Sequence, residues 1–210
     1  MPELPEVEAA RRVIERVAVG RRIVEVRCAD DGIVFQGASP AQVRRALLGR
    51  RIRAVHRRGK HLWLELDRRP WPIFHFGMTG GFHSPAVKSV KLKSSGNKDR
   101  DSQWPPRFWK LQMKFAGGGE LVMTDARRLG RIRLRHDPRN EPPISLLGFD
   151  AWRGLPPLAS FKALVTARSS PMKALLLDQS FAAGVGNWIA DEVLYQARID
   201  PRRRAGTLTD

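Results

Sequence analysis

The 210-residue chain contains one cysteine, Cys28, and only 21 acidic residues against 38 Lys and Arg. A lone cysteine excludes an internal disulfide and any cysteine-based zinc site within the chain. The five histidines (His56, His61, His75, His83 and His136) show no metal-ligand spacing, so neither a metal nor a cofactor is expected. No apolar run approaches the roughly 20 residues that a membrane-spanning helix needs, and no membrane partner is expected. The opening residues are acidic and helix-forming rather than basic, Ser-rich or apolar. No signal or transit peptide is therefore expected, and a soluble intracellular chain is the reading. No repeat and no low-complexity tract interrupts the sequence.

What is present is positive charge: +17 formally, with an isoelectric point near 11.4. Such a balance favours polyanionic partners. Nucleic acid suits it better than an anionic membrane, because no amphipathic basic helix is apparent; a solvated basic surface is the plain alternative. With 42% hydrophobic residues the chain can build a core, as one ordinary domain or two small ones.

Val7, Ala10, Ile14 and Val17 recur at helical spacing and predict a helix that Gly20 ends. Ser39-Pro40 reads as an N-cap and first helical residue, starting a short helix through Val43 and Leu47. Up to about residue 135 the pattern then alternates as strands do. Leu62, Leu64 and Leu66 share one face, with Trp63 and Glu65 on the other. Leu111 to Phe115 and Leu121 to Met123 form a hairpin about Gly117-Gly118-Gly119, and Arg131 to Arg135 sets apolar residues inward and arginines outward. Residues 84–107 break the pattern with a basic, polar loop (Lys88, Lys91, Lys93, Ser94, Ser95, Gly96, Asn97, Lys98), closed by Trp104-Pro105-Pro106. Beyond Pro142-Pro143 and Pro156-Pro157 the chain turns helical: Leu158, Phe161, Leu164 and Val165, then Met172 to Asp178, then Asn187 to Ala197. The expected class is α+β: an antiparallel β-sandwich flanked by helices over residues 1–150, then a helical domain over 151–210.

Met1-Pro2-Glu3-Leu4-Pro5-Glu6 admits two readings. It is an ordinary helix start, with proline and acids in the first turn. Alternatively, removal of Met1 leaves Pro2 as a secondary amine with a pKa of about 7.7–8.0, roughly a tenth of it neutral at pH 7. Such an amine attacks a sugar C1′ and forms an iminium that eases elimination of the 3′ phosphate. Glu3 is placed to move protons, with Glu6 in support.

The string resembles the N-terminus of formamidopyrimidine-DNA glycosylases, and the likeness continues in family order. Arg58-Gly59-Lys60-His61-Leu62-Trp63 resembles the strand bearing a catalytic lysine. His75-Phe76-Gly77-Met78-Thr79-Gly80 and Asp125-Ala126-Arg127-Arg128-Leu129-Gly130 are similar to two further landmarks. Leu177 through Glu192 resembles the helix–two-turn–helix DNA-binding element. The wording from Asn187 to Arg198, with the basic loop, is most similar to the plant-type branch.

This resemblance implies catalytic roles for Pro2, Glu3, Glu6 and Lys60, the last at the lesion phosphate. It implies that Met78, Arg127 and Leu129 fill the space left by an extracted base, with Arg127 bonding the orphaned partner. Ordinary core packing is the alternative for Met78 and Leu129. The family usually has phenylalanine where Leu129 stands, and leucine stacks poorly. Asn187, after Gly184 and Gly186, is expected to cap a helix, contact phosphate, or both, and the turn's backbone N–H groups are expected to face phosphate. His75 and Lys173 are further phosphate or base candidates, and Glu192 supports the site or is a solvated charge.

The implied activity is excision of oxidised purines (8-oxoguanine, formamidopyrimidines) from duplex DNA, with abasic-site lyase activity, by a monomer in base excision repair. The alternatives are a damaged-DNA-binding module without turnover and a general basic nucleic-acid binder. The implied compartment is the nucleus for a plant-type protein, otherwise cytoplasm or nucleoid. The likeness stops after Ile199-Asp200-Pro201. No counterpart of the family's remaining helices and β-hairpin finger is expected up to Asp210, as in a fragment or a reduced protein.

Overall fold

A computed structural model describes residues 2–87 and 103–208. Helix α1, Leu4–Ala18, opens the chain and buries Leu4, Val7, Ala10, Ile14, Val17 and Ala18. That spacing lays one apolar stripe along the helix, which packs on the strands behind it. Pro5 sits in the first turn, where a missing N–H costs no bond. Strand β1 (Ile23–Cys28) follows, then α2 (Pro40–Leu47). Ser39 starts α2 with a reciprocal pair of bonds: the Gln42 N–H donates to Ser39 Oγ at 3.2 Å, and the Ser39 N–H to Gln42 Oε1 at 2.7 Å. Val43 and Leu47 are its buried residues.

Strands β2 (Ile52–Arg58), β3 (His61–Leu66), β4 (Trp71–His75), β5 (Gly81–His83), β6 (Trp109–Phe115), β7 (Glu120–Thr124) and β8 (Arg131–Arg135) complete two four-stranded antiparallel sheets. Their orders are β1-β6-β7-β5 and β2-β3-β4-β8. The inward residues of both sheets, with α1 and α2, form one core that includes Leu62, Leu64, Leu66, Phe74, Leu111, Met113 and Ile132. The α+β sandwich and the 111–123 hairpin stand as expected.

One strand differs from its alternating pattern. Trp63, expected on the open face, is buried with Ile73 and Ile144. The connector after β8 lays the short turn Ile144–Leu146 across that face, so β3 is covered on both sides. Lys88, Lys91, Lys93, Ser94, Ser95, Gly96, Asn97 and Lys98 of the basic loop lie outside the described residues.

Strands β9 (Phe149–Asp150) and β10 (Ala182–Ala183) pair in parallel and bring in a second core. Helices α3 (Leu158–Thr166), α4 (Met172–Leu177) and α5 (Asn187–Gln196) supply it. Val165, Met172, Leu175, Phe181, Val185 and Leu194 are buried there, and Phe149, Phe161 and Phe181 meet edge to face or tilted at 5.2–6.2 Å. Leu158, part of the apolar pattern of α3, is 83% exposed, and that helix packs instead through Phe161 and Val165.

The two cores are joined by buried charge. Arg57 Nη1 and Nη2 donate to Asp150 Oδ2 and Oδ1 at 2.7 and 3.0 Å, and Arg57 Nε donates to Glu8 Oε2 at 3.1 Å. The Gly59 N–H adds a bond to Asp150 Oδ2 at 2.8 Å. Burial alone would push both carboxyls up; the arginines beside them, with backbone N–H groups at Asp150, outweigh it and hold both below the usual range.

Ser39→Ala removes the cap of α2 without touching either core. Its cost is about 1 kcal/mol, read as a lower urea midpoint at unchanged slope.

Candidate active site

The first half meets the second at the start of α5. The N-cap of this helix is Gly186, which has no side chain to offer, and helix N-termini attract anions. Glu3 supplies one. Its carboxylate accepts from the Trp188 N–H on Oε1 at 2.9 Å and from the Ile189 N–H on Oε2 at 3.1 Å. Glu3 is only 4% exposed. A Cβ on Gly186 would lie 2.3 Å from Glu3 Cδ, so only glycine fits there. One expectation is thereby corrected. Asn187 is the first helical residue, exposed, and does not cap α5. The amides of residues 188 and 189, inside the helix, are bonded to a distant glutamate.

Glu6 restrains Glu3 from below, since the Glu3 N–H donates to Glu6 Oε2 at 2.9 Å. Pro2 is half-buried. With Pro5, Glu6, Phe76, Gly80 and Phe82 it lines a groove of about 620 Å³ between α1 and β5.

Lys60 arrives at the same turn from the other side. Its Nζ donates to the Val185 carbonyl at 2.9 Å, and Gln179 Nε2 donates to that same oxygen at 2.8 Å. Burial lowers the Lys60 pKa, while the Glu3 charge pulls it back. The close approach depends on Gly184, at φ 107°, where a Cβ would meet Leu4 Cδ1 at 2.3 Å. Thus Glu3 and Lys60 converge on residues 185–189, with Glu6 holding the Glu3 backbone and Pro2 adjoining.

His75 ends β4. Its Nδ1 accepts from the Gly77 N–H at 3.1 Å, which leaves the proton of a neutral ring on Nε2. The ring lies 4.8 Å from that of His61. Burial first, then the charge of Lys60, brings the His75 pKa down to about 4. Burial and its histidine neighbour bring His61 to about 3. At neutral pH His75 is therefore an uncharged hydrogen-bond donor.

The loop after β4 and the loop between β7 and β8 are fused at their base. A Cβ on Gly77, at φ 60°, would lie 2.4 Å from the Leu129 carbonyl carbon. Buried Asp125 accepts from Thr79 Oγ1 at 3.1 Å, the Arg127 N–H at 3.3 Å and the Gly130 N–H at 2.6 Å. The tips stay open: Met78 is 39% exposed, Leu129 is 42% exposed, and Arg127 is exposed too. Core packing is thus not the use of Met78 or Leu129.

Lys173 lies apart from these groups and pairs with Asp191 at 2.7 Å. Exposed Glu192 accepts from Gln196 at 2.6 Å and does not reach the Glu3 junction. Sequence reasoning gave no role to Asp125 and Gln179, though both sit inside the motifs it quoted. Glu8 shows locally only its helical pairs with Arg11 and Arg12, and the link from Arg57 to Glu8 and Asp150 joins residues remote in sequence. Among the described residues no cluster of His, Cys, Asp or Glu is arranged to hold a metal.

The histidine pair sets a pH dependence. Both folded pKa values lie below the ordinary value of 6.5. Between about pH 6.5 and pH 4 the unfolded chain therefore binds more protons, and stability falls as pH falls. Thermal unfolding across that window checks this; His75→Gln is expected to flatten the decline. Gly186→Ala, which drives a methyl group into the Glu3 carboxylate, is expected to lower Tm and to expose the α5 amides to hydrogen exchange.

Comparisons with known proteins agree with this architecture. Residues 1–132 match the formamidopyrimidine-DNA glycosylase N-terminal domain, and residues 147–210 match the formamidopyrimidine-DNA glycosylase H2TH domain. The chain is 45% identical over 209 residues to a formamidopyrimidine-DNA glycosylase of Arabidopsis thaliana, covering 100% of this chain and 53% of that protein. It therefore spans about half the length of that relative. It is 36% identical to the Methylocella silvestris enzyme of the same name, covering 100% of this chain and 70% of that one. A Lactococcus lactis formamidopyrimidine-DNA glycosylase, solved non-covalently bound to DNA containing an abasic site, superposes with a TM-score of 0.80 at 27% identity, over 99% of this chain and 74% of that one. The same bacterium's protein in complex with DNA containing N7-benzyl-Fapy-dG also gives 0.80, at 28% identity over 100% and 72%. With both halves matched in order and the sandwich and α5 junction in place, the chain belongs to the formamidopyrimidine-DNA glycosylase family.

Proposed function

We propose that this chain is a DNA glycosylase that excises oxidised purines from duplex DNA and then cleaves the abasic site through a Schiff base on Pro2. The supporting observation is the convergence of Glu3 and Lys60 on residues 185–189, beside Pro2 and with Glu6 bonded to the Glu3 backbone. Relatives solved with abasic and Fapy-type DNA indicate the substrate class.

The chemistry follows from the groups available. With Met1 removed, the neutral Pro2 amine attacks C1′. The base departs and the ring opens as C1′–O4′ breaks, with a proton delivered to O4′. The product is an iminium between Pro2 and C1′. Loss of a C2′ proton then expels the 3′ phosphate, and δ-elimination releases the 5′ phosphate. Glu3 is the residue placed to carry the proton in the opening step. Lys60 holds a cation beside Glu3, where a lesion phosphate would sit. Neutral His75 donates a hydrogen bond there without adding charge. Met78, Arg127 and Leu129, exposed on fused loops, enter the space vacated by the extruded nucleotide.

Borohydride trapping on duplexes carrying 8-oxoguanine or an abasic site tests this reading. Untagged protein lacking Met1 is expected to give a covalent adduct on both. Pro2→Gly is expected to lose at least tenfold of the adduct on the 8-oxoguanine duplex. Glu3→Gln loses base excision more than it loses trapping on a preformed abasic site. Tight binding with no adduct on either duplex would overturn the enzyme reading and leave a damaged-DNA-binding module.

A further inference from the structure

Arg128 stands between the exposed side chains of Arg127 and Leu129, yet it turns away from both. Its backbone is left-handed, at φ 56°, a region that L side chains occupy sparingly. The guanidinium reaches the loop after β1. Its Nε donates to Asp31 Oδ2 at 3.0 Å and Oδ1 at 3.2 Å, and its Nη2 donates to Oδ1 at 3.0 Å. The Arg128 carbonyl is held as well, accepting from Arg131 Nη1 at 3.1 Å.

Asp31 is itself anchored. It is buried, and Lys110 Nζ on β6 donates to its Oδ2 at 2.7 Å. The backbone N–H groups of Ile33 and Val34 donate to Oδ1 at 3.2 and 3.3 Å. Burial would raise this carboxyl, but Arg128, Lys110 and the Val34 amide outweigh it, so the group stays ionised. Lys110 is buried too, and Asp31 is the acid it bonds. Arg128, by contrast, has a half-exposed side chain. The link therefore ties a rigid acid in the sandwich to a loop tip at the surface.

Asp125 fixes the ends of that loop through the amides of Arg127 and Gly130. It makes no bond to Arg128. A planar guanidinium bonded through Nε and Nη2 to both oxygens of one carboxylate holds orientation as well as distance, so Asp31 sets the backbone between Arg127 and Leu129. That fixes the direction in which both side chains leave the loop. A side chain that reads a base must be held to roughly 0.5 Å, and the Asp125 bonds alone leave Arg128 free to rotate.

We propose that Asp31, backed by Lys110, is a positioning residue that acts through Arg128 to aim Arg127 and Leu129 at the duplex. It thereby sets how well the protein distinguishes the base opposite a lesion. This rests on reading Arg127 and Leu129 as the side chains that enter the DNA, but not on the Pro2 chemistry.

The test compares affinities for duplexes carrying a tetrahydrofuran abasic analogue opposite dC and opposite dA, which requires no turnover. Wild-type protein is expected to discriminate between them. Asp31→Asn and Arg128→Lys are each expected to lower the ratio at least fivefold, and the double variant no further than either alone, because both cut one link. Asp31→Asn keeps affinity for undamaged duplex within twofold. Arg128→Lys leaves the buried Asp31–Lys110 pair whole, so it reads the link even where Asp31→Asn unfolds. In the DNA-free protein, amide exchange over residues 126–130 is expected to quicken in both variants. Unchanged ratios, absence of discrimination in the wild type, or an equal loss of affinity for both duplexes would overturn the proposal. Discrimination without any borohydride adduct would instead sink the Pro2 chemistry and leave this inference standing.

Discussion

A helix whose N-cap is Gly186 presents free N–H groups at a positive dipole end and has no capping side chain of its own to satisfy them. Everything at the junction follows from what does. Glu3 spans the gap from the other half of the molecule, and its two oxygens take two amides of α5. Because the carboxylate must come this close, residue 186 is glycine; because Leu4 follows Glu3 into the contact, residue 184 is glycine as well. The residue beside Pro2 is thus also the contact that seats one half of the chain on the other. The chemistry proposed at Pro2 and the relation between the halves are therefore coupled through Glu3.

Buried charge supports that seat. Arg57, Glu8 and Asp150 are largely withdrawn from water; Arg57 pairs both acids, and Arg11 and Arg153 add bonds to Glu8. Removing Arg57 leaves Asp150 without its guanidinium partner, at a cost of about 3–5 kcal/mol. The network lies behind Gly59 and Lys60, so it holds in place the strand end that delivers Lys60 to the Val185 carbonyl. Its contribution is orientation more than net stability.

The loop pair obeys a different logic. Met78, Arg127 and Leu129 are left exposed, which sacrifices apolar burial. The loops keep their shape through two buried aspartates, Asp125 inside the loop base and Asp31 from the neighbouring strand connection. Rigid backbone below and open side chains above is what a surface needs if it is to enter a partner without first ordering itself.

Local pattern determined much of this protein. The period of α1, the alternation of Leu62, Leu64 and Leu66, the Ser39-Pro40 start and the triple-glycine hairpin each involve neighbours whose geometry is set by backbone sterics, and each appears where the residues place it. The site candidates Pro2, Glu3, Lys60, Met78 and Arg127 come from a different source: the resemblance of their contiguous strings to one family, since local pattern alone reads them as a helix start, a solvated charge and loop residues. Tertiary structure decided what joins residues far apart in the chain. Whether Trp63 met solvent depended on where Ile144 came to rest. Whether Asn187 capped its helix depended on an acid at position 3, and the aim of Arg127 and Leu129 depends on Asp31. A helix terminus or a guanidinium accepts any well-placed carboxylate, and only the closed fold selects which one arrives.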